Sequence, residues 1–268
     1  MITPAQLDEY RIKGFVAIPG LLAGEPTLIA DLRDAYDREL SSPASGFHNI
    51  ASPSAVGQAP DQGGEVMLQR MNMCEVSMEF RRLLYHPAIL DAAEQLMESA
   101  DGIQLFHDQA LFKPALDPAT RSFGGNMQWH QDNSYWRCQP ANLISAWLAL
   151  DDITENNGAM RMLPDSWSTP LEGIPMPAGH REDGDAYRRE HIDPLFDVSL
   201  AETLAPLPAG SVIFHSCRCL HSSLPNRSNR QRRAHVMHLM QPGTTGHDGA
   251  VLVRSQAICR CLRFLDLF

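Results

Sequence analysis

The stretch Gln128-Trp129-His130-Gln131-Asp132 contains an H-x-D pair, an imidazole and a carboxylate two positions apart. On a β-strand, positions i and i+2 project from one face, so His130 and Asp132 would address a single cavity. They supply two of the three ligands of a 2-His-1-carboxylate set, which holds Fe(II) and leaves coordination positions open. An H-x-D pair also recurs by chance, so its weight depends on what lies downstream. Past the strand candidate Gly210–His215 comes His221, the third ligand candidate, and eleven positions later Arg232. Two neutral imidazoles and one carboxylate would leave Fe(II) one net positive charge and three free positions. A 2-oxo acid can chelate there through its C1 carboxylate and C2 ketone. Its far carboxylate then requires a buried cation, and the planar fork of Arg232 suits that task, with the Ser223 hydroxyl beside it. Lysine occurs only at Lys13 and Lys113, which makes Lys113 conspicuous.

The elements that must position these residues are legible in part. Thr3 as N-cap with Pro4 at the first helical position opens a short helix to about Lys13. Gly14–Gly20 predicts a short strand closed by a turn, and apolar spacing predicts a helix from Glu25 to Leu40. Ser41–Gly64 is Pro/Gly/Ser-rich and irregular, while Phe80–Ser99 predicts one amphipathic helix. Short β-rich segments follow at Ile103–Pro114, Met127–Asp132, Leu143–Leu150, Ala159–Leu163, Gly210–Phe214 and Ala234–Gln241, with another at Val251–Val253. That rhythm predicts antiparallel sheets in a sandwich or barrel. Ser168–Leu204 interrupts it with a charged, Pro/Gly-containing insertion, a lid or a decoration, expected to bury little apolar surface. The expected organisation is one domain over 1–268: helices at about 4–100, a β core at about 101–256 and the insertion at 168–204.

Composition bounds the function. The chain has 268 residues, 44% hydrophobic and 20% charged, with a net charge of −10. An acidic chain with scattered basic residues is a poor surface for nucleic acid or an anionic membrane. It has neither a transmembrane-length apolar run nor a signal-peptide pattern at its start, so a cytoplasmic protein acting on a small molecule, as a monomer or homodimer, is expected. The six cysteines include two C-x-C pairs, which lack the usual zinc spacing and a matching second pair. They are expected to be reduced, mostly buried thiols.

Taken together, the motifs resemble the phytanoyl-CoA dioxygenase family of iron- and 2-oxoglutarate-dependent oxygenases. The matching text is Trp129-His130-Gln131-Asp132, Ala146-Trp147-Leu148-Ala149-Leu150-Asp151-Asp152, and Glu155-Asn156-Asn157-Gly158-Ala159-Met160 running into Leu163-Pro164-Asp165-Ser166. His221-Ser222-Ser223-Leu224-Pro225-Asn226, Arg232 and an opening Tyr10–Val16 complete it, with order and spacing agreeing over roughly residues 4–241. The resemblance implies a mainly β fold, a double-stranded β-helix (jelly roll, cupin-like) with flanking helices. It maps His130, Asp132 and His221 onto the iron ligands and Arg232 and Ser223 onto the 2-oxoglutarate site. Trp147 and Lys113 match cosubstrate-contacting positions. The implied cofactors are Fe(II), 2-oxoglutarate and O2, with succinate and CO2 formed as a substrate C–H bond is hydroxylated. The family often has glycine after the distal histidine, where this chain has Ser222. Asp132 is intact, which disfavours the related halogenases.

Other positions stay open on sequence. His107 lines the site or packs in a strand, Trp147 contacts cosubstrate or fills the barrel, and Tyr135 and Trp136 wall a substrate pocket or cap a sheet edge. His215 and His235 read as structural, and Arg227, Arg230 and Arg233 as solvated. The apolar tail 260–268 suits docking on the body or on another subunit. The alternatives to a hydroxylase are a non-catalytic jelly-roll ligand-binding protein and a cupin-type metalloenzyme without 2-oxoglutarate. The triad together with Arg232 favours the oxygenase.

Overall fold

The computed structural model describes residues 2–51, 64–174 and 184–252. Its first third is helical for local reasons. Thr3 and Gln6 cap one another reciprocally, Pro4 opens α1 (Pro4–Lys13), and Gly14 closes it at φ 80°. After β1 (Phe15–Ile18), α2 (Pro26–Ser41) buries Ile29, Leu32, Ala35 and Tyr36 at helical spacing. Next come β2 (His48–Asn49), β3 (Gly64–Val66), β4 (Leu68–Met71) and α3 (Met73–Val76), which the sequence reading did not anticipate. Part of the segment expected to be irregular, 52–63, lies outside the described residues.

The single helix expected over 80–99 is two, α4 (Met78–Leu83) and α5 (Pro87–Met97). The break falls before Pro87. A proline ring disfavours helical backbone at the preceding residue, and His86 is extended, at φ −68° and ψ 115°. Pro87 therefore starts a helix instead of continuing one.

The β segments fall within two residues of their expected bounds: β5 (Gln104–Lys113), β7 (Met127–His130), β8 (Ile144–Ala149), β9 (Met160–Met162), β11 (Val212–Ser216) and β13 (Arg232–Met240). Between them lie β6 (Ser122–Gly124), α6 (Asn133–Trp136), α7 (Gly184–Tyr187), β10 (Glu202–Thr203) and β12 (His221–Ser223). Val251 makes an isolated bridge to Thr245, and Val253 and the tail 260–268 lie outside the described residues. Two antiparallel sheets result. One has the order β1-β11-β8-β13-β5-β4-β2 and the other β10-β9-β12-β7, with β3 and β6 pairing separately in parallel. This is the jelly-roll layout the resemblance implied.

Strand alternation divides the large sheet into two working faces. Ile144, Ala146, Leu148, Val212, Phe214 and Met237 pack against the helices, in one core with Leu32, Tyr36, Phe80 and Ile89. Trp147, Ala149, Ile213, Ala234 and Val236 face the small sheet, in a second core with Met160 and Met162. The candidate residues Trp147 and Arg232 sit on this inner face, across from the small-sheet strands that carry His130 and His221.

The insertion departs from expectation. Leu171, Tyr187, Ile192 and Phe196 are buried with Trp129, Leu163 and Leu220 in a cluster of their own. Its last residues, Glu202 and Thr203, form β10 and pair with β9, so they belong to the small sheet. Charge and proline content hid an apolar set spaced widely enough to escape a periodicity search. Residues 175–183, Asp183 among them, lie outside the described part. Cys74, Cys138, Cys217 and Cys219 are buried thiols outside any disulfide, as expected.

Candidate active site

His130 and His221 meet because β7 and β12 pair antiparallel with these two residues directly opposite. The register shifts before Ser223 reaches Met127, a bulge that lets Met127 and His130 both line the same cleft. Asp132 arrives by a different route from the one the sequence suggested. The strand ends at His130, and Asp132 has helical backbone (φ −56°, ψ −40°) at the start of α6. A turn, not strand alternation, brings its carboxylate to the histidines.

The three ligand atoms lie within 4.8 Å of one another, and all three residues are buried. Asp132 Oδ1 is 3.7 Å from His130 Nε2 and 3.8 Å from His221 Nε2. Each ring's other nitrogen faces a backbone carbonyl, His130 Nδ1 at 2.7 Å from Gln128 O and His221 Nδ1 at 2.9 Å from Cys219 O. A carbonyl only accepts, so both rings carry Nδ1–H and aim the Nε2 lone pair at the shared point, the usual support for a metal-binding histidine. Burial lowers the His221 imidazole to about 4, which keeps it neutral, and raises the Asp132 carboxyl. This donor set fits a single divalent cation.

A second feature lies along the same cleft. Arg232 is 1% exposed, and its Nε and Nη1 are buried without a hydrogen-bond partner. Its guanidinium lies over the Trp147 ring at 5.5 Å, and the Trp147 Nε1 is likewise unpartnered. Lys113 stands opposite Arg232 across β5 and β13 and donates to Ser223 Oγ at 2.7 Å and to Leu224 O at 2.5 Å. Burial, reinforced by Arg232, pushes the Lys113 amine well below its usual range. Burial also lowers Arg232, to about 10. Two like charges directly opposite, with donors left over, are unfavourable unless an anion joins them. A carboxylate of 2-oxoglutarate would satisfy these donors in number and charge.

The motifs around these residues have mechanical reasons. In the Asn156-Asn157-Gly158 turn, Asn157 bonds Asp152 O and Thr154 N. Gly158 follows at φ 101°, where an added Cβ would come within 2.8 Å of Lys113 Cδ. Gly124 presses the same stem, its Cβ position 2.6 Å from Lys113 Cβ. Asn226 Nδ2 donates to Lys113 O, Pro114 O and Arg230 O, pinning the loop that delivers Arg232.

Period-two counting from the anchors finds what the sequence reading missed. From Lys113 it leads back to Leu111 and Gln109, from Trp147 to Ser145, from Arg232 onward to His238, and from Ile213 to His215. Gln109, His215 and His238 line the cleft with Met67, Met127 and Met160. His215, expected to be purely structural, lies 3.9 Å from Asp132 Oδ2, with its ring centroid 4.5 Å from that of His221. His235, on the opposite face, packs on Phe80 and faces Asp108. His107 packs among Phe106, Trp136 and His238. Tyr135 approaches His130 edge-on at 5.8 Å. Arg233, expected to be solvated, instead grips Asp151 through two nitrogens, at 3.0 and 2.7 Å, and reaches Asp37 at 2.7 Å. Arg230 is exposed, and exposed Arg227 lies over Phe123 at 4.6 Å.

A model of the phytanoyl-CoA dioxygenase family matches residues 10–234. The chain is 28% identical to a probable alpha-ketoglutarate-dependent hypophosphite dioxygenase of Stutzerimonas stutzeri, over 85% of this chain and 75% of that protein. EvdO2 from Micromonospora carbonacea var. aurantiaca, solved with 2-oxoglutarate, has a TM-score of 0.66 at 25% identity, covering 92% of this chain and 93% of that one. The non-heme alpha ketoglutarate dependent carbocyclase SnoK from nogalamycin biosynthesis has a TM-score of 0.71 at 22% identity, covering 91% and 86%, a likeness of fold. The cation-ready triad and the anion-ready arginine thus stand in a chain that belongs to the phytanoyl-CoA dioxygenase family, the 2-oxoglutarate-dependent dioxygenases that use iron and O2.

Proposed function

We propose that the enzyme hydroxylates a C–H bond of a small molecule, with His130, Asp132 and His221 as iron ligands and Arg232, Ser223, Lys113 and Trp147 as the 2-oxoglutarate site. The observation that carries this reading is the set of unpartnered buried donors on Arg232 and Trp147, in one cleft with the triad. The chemistry iron supplies when bound is O2 activation coupled to decarboxylation of 2-oxoglutarate, one oxygen atom going to succinate and the other into the substrate. The chain's own part is positional. His130 and His221 offer lone pairs fixed by their backbone bonds, and Arg232 offers a two-pronged donor to the far carboxylate. Met67, Met127 and Met160 keep the remaining wall apolar, which limits water near the reacting bond.

The insertion acts as a lid in this reading, its Arg188 or His191 meeting the substrate when it closes. Among the described residues, those lining the cleft include none from the insertion, so closure requires movement. The partner is a small molecule. A net charge of −10 supports neither a nucleic-acid nor an anionic-membrane role for this monomer or homodimer of the cytoplasm. The test is O2-dependent succinate formation by anaerobically Fe(II)-loaded protein across a metabolite panel. Alanine at any ligand should abolish turnover and weaken metal binding by more than the roughly 10–100-fold typical of supporting residues. Full activity in His221→Ala would sink the ligand assignment.

A further inference from the structure

Asp132 uses its two oxygens differently. Oδ1 faces both Nε2 atoms, at 3.7 and 3.8 Å, whereas Oδ2 accepts a hydrogen bond from Ser145 Oγ at 2.9 Å. We propose that Ser145 is a positioning residue that holds Oδ2 out of the coordination sphere, so that Asp132 offers the metal one oxygen. Ser145 is in turn oriented by His238, Gln109 and Gln69. The inference rests on the assignment of His130, Asp132 and His221 as ligands.

The direction of each bond follows from the one before it. A metal-binding carboxylate only accepts, so Ser145 spends its single proton on Oδ2. Ser145 Oγ can then only accept from His238 Nδ1, at 2.8 Å, which fixes that ring as the Nδ1–H tautomer. Its Nε2 lone pair is left to accept from Gln109 Nε2 at 2.9 Å. The Gln109 carbonyl oxygen consequently faces Gln69, whose amide donates to it. Every proton in the chain points toward Asp132. The supports are equally fixed, because Ser145 and His238 are register partners of β8 and β13, while Gln109 sits on β5 and Gln69 on β4 of the same sheet. A rotation at Ser145 would break its bonds to both Asp132 and His238, in a network whose members reinforce one another.

The consequence concerns the number of open positions. A 2-His-1-carboxylate set leaves three only when the carboxylate binds through one oxygen. A chelating 2-oxo acid uses two of them and O2 the third. If Oδ2 lost its hydroxyl partner, the free oxygen would turn to the cation and take one of those positions.

Cobalt(II) reports this without turnover, since its visible bands move when a carboxylate oxygen replaces solvent in its ligand set. Full-length Ser145→Ala, loaded with Co(II), should stay folded yet show shifted bands. It should bind 2-oxoglutarate at least about 10-fold more weakly, the scale for residues supporting a ligand. Ser145→Thr, which keeps the hydroxyl, should restore both. A role in packing alone would lower the melting temperature and leave the spectrum unchanged. A wild-type spectrum with 2-oxoglutarate affinity within about twofold in Ser145→Ala overturns the proposal. Should Ser145→Ala not fold, Gln109→Leu at the outer end of the chain should shift the bands the same way, and unchanged bands there overturn it equally. Wild-type protein that binds no Co(II), or His221→Ala that binds it normally, would instead overturn the ligand assignment itself.

Discussion

At the scale of single residues, neighbours in sequence hold opposite duties. Arg232 lies on the inner face of β13 with donors to spare, while Arg233 faces the helices and is held by Asp151 and Asp37. Breaking a buried guanidinium–carboxylate pair from one side costs on the order of 3–5 kcal/mol. Arg232→Ala should therefore weaken 2-oxoglutarate binding by roughly two to four orders of magnitude and leave metal content unchanged, as calorimetry on metal-loaded protein would show. Arg233→Ala should lower the melting temperature with little effect on 2-oxoglutarate. The reverse pattern would mean that the wrong arginine has been assigned. Gly158 supplies a sharper contrast. With φ at 101° and Lys113 Cδ 2.8 Å from its would-be Cβ, Gly158→Ala should cost about 1–3 kcal/mol of stability and displace the lysine. Thermal melts and 2-oxoglutarate affinity should fall together, and a change in neither would show that the turn relaxes freely.

At the scale of elements, the middle residue of the H-x-D motif joins the metal strand to the insertion. Gln131 is fully buried and points away from His130. Its Nε2 donates to Ser166 O at 3.2 Å and Thr169 O at 2.9 Å, and its Oε1 accepts from Leu171 N at 2.9 Å. Asn133 and Arg218 add a second tie by donating to Glu172. At about 1 kcal/mol per net bond, Gln131→Ala should loosen the base of the insertion without unfolding the sheets. Amide exchange over 166–174 should speed up, and 2-oxoglutarate should be decarboxylated more often without substrate turnover. Unchanged exchange there would reduce Gln131 to a packing residue and detach the insertion from the metal motif.

At the scale of the whole molecule, burial of imidazoles sets an acid limit on stability. His235 is fully buried against Phe80 and Asp108, and burial lowers its pKa from 6.5 to about 4, the carboxylate only partly opposing. The unfolded chain thus binds this proton more readily than the folded one between those values. Stability is full above pH 6.5 and falls as pH drops toward 4, by on the order of 3 kcal/mol for this group alone. His215 and His238, lowered in the same direction by burial, add to the slope. Melting temperatures measured without metal from pH 7.5 to 4 should decline most steeply in that window. His235→Gln should flatten the decline, and a slope unchanged by that substitution would place the sensitivity elsewhere.

What the sequence determined by itself was local. Residue chemistry marked His130, Asp132, His221 and Arg232, because metal and carboxylate binding tolerate few side-chain types. Caps and alternation marked α1 and the strands, because these depend on neighbours one to four positions away. Only the tertiary structure decided how Asp132 reaches the histidines, since the same i, i+2 spacing serves a strand or a turn. It alone placed Ser145, Gln109 and His238 around that carboxylate, because their meeting depends on which strands pair and in what register. It likewise turned Arg233 from a solvent-facing charge into an ion-paired one, since Asp37 lies 196 positions away and nothing local connects them.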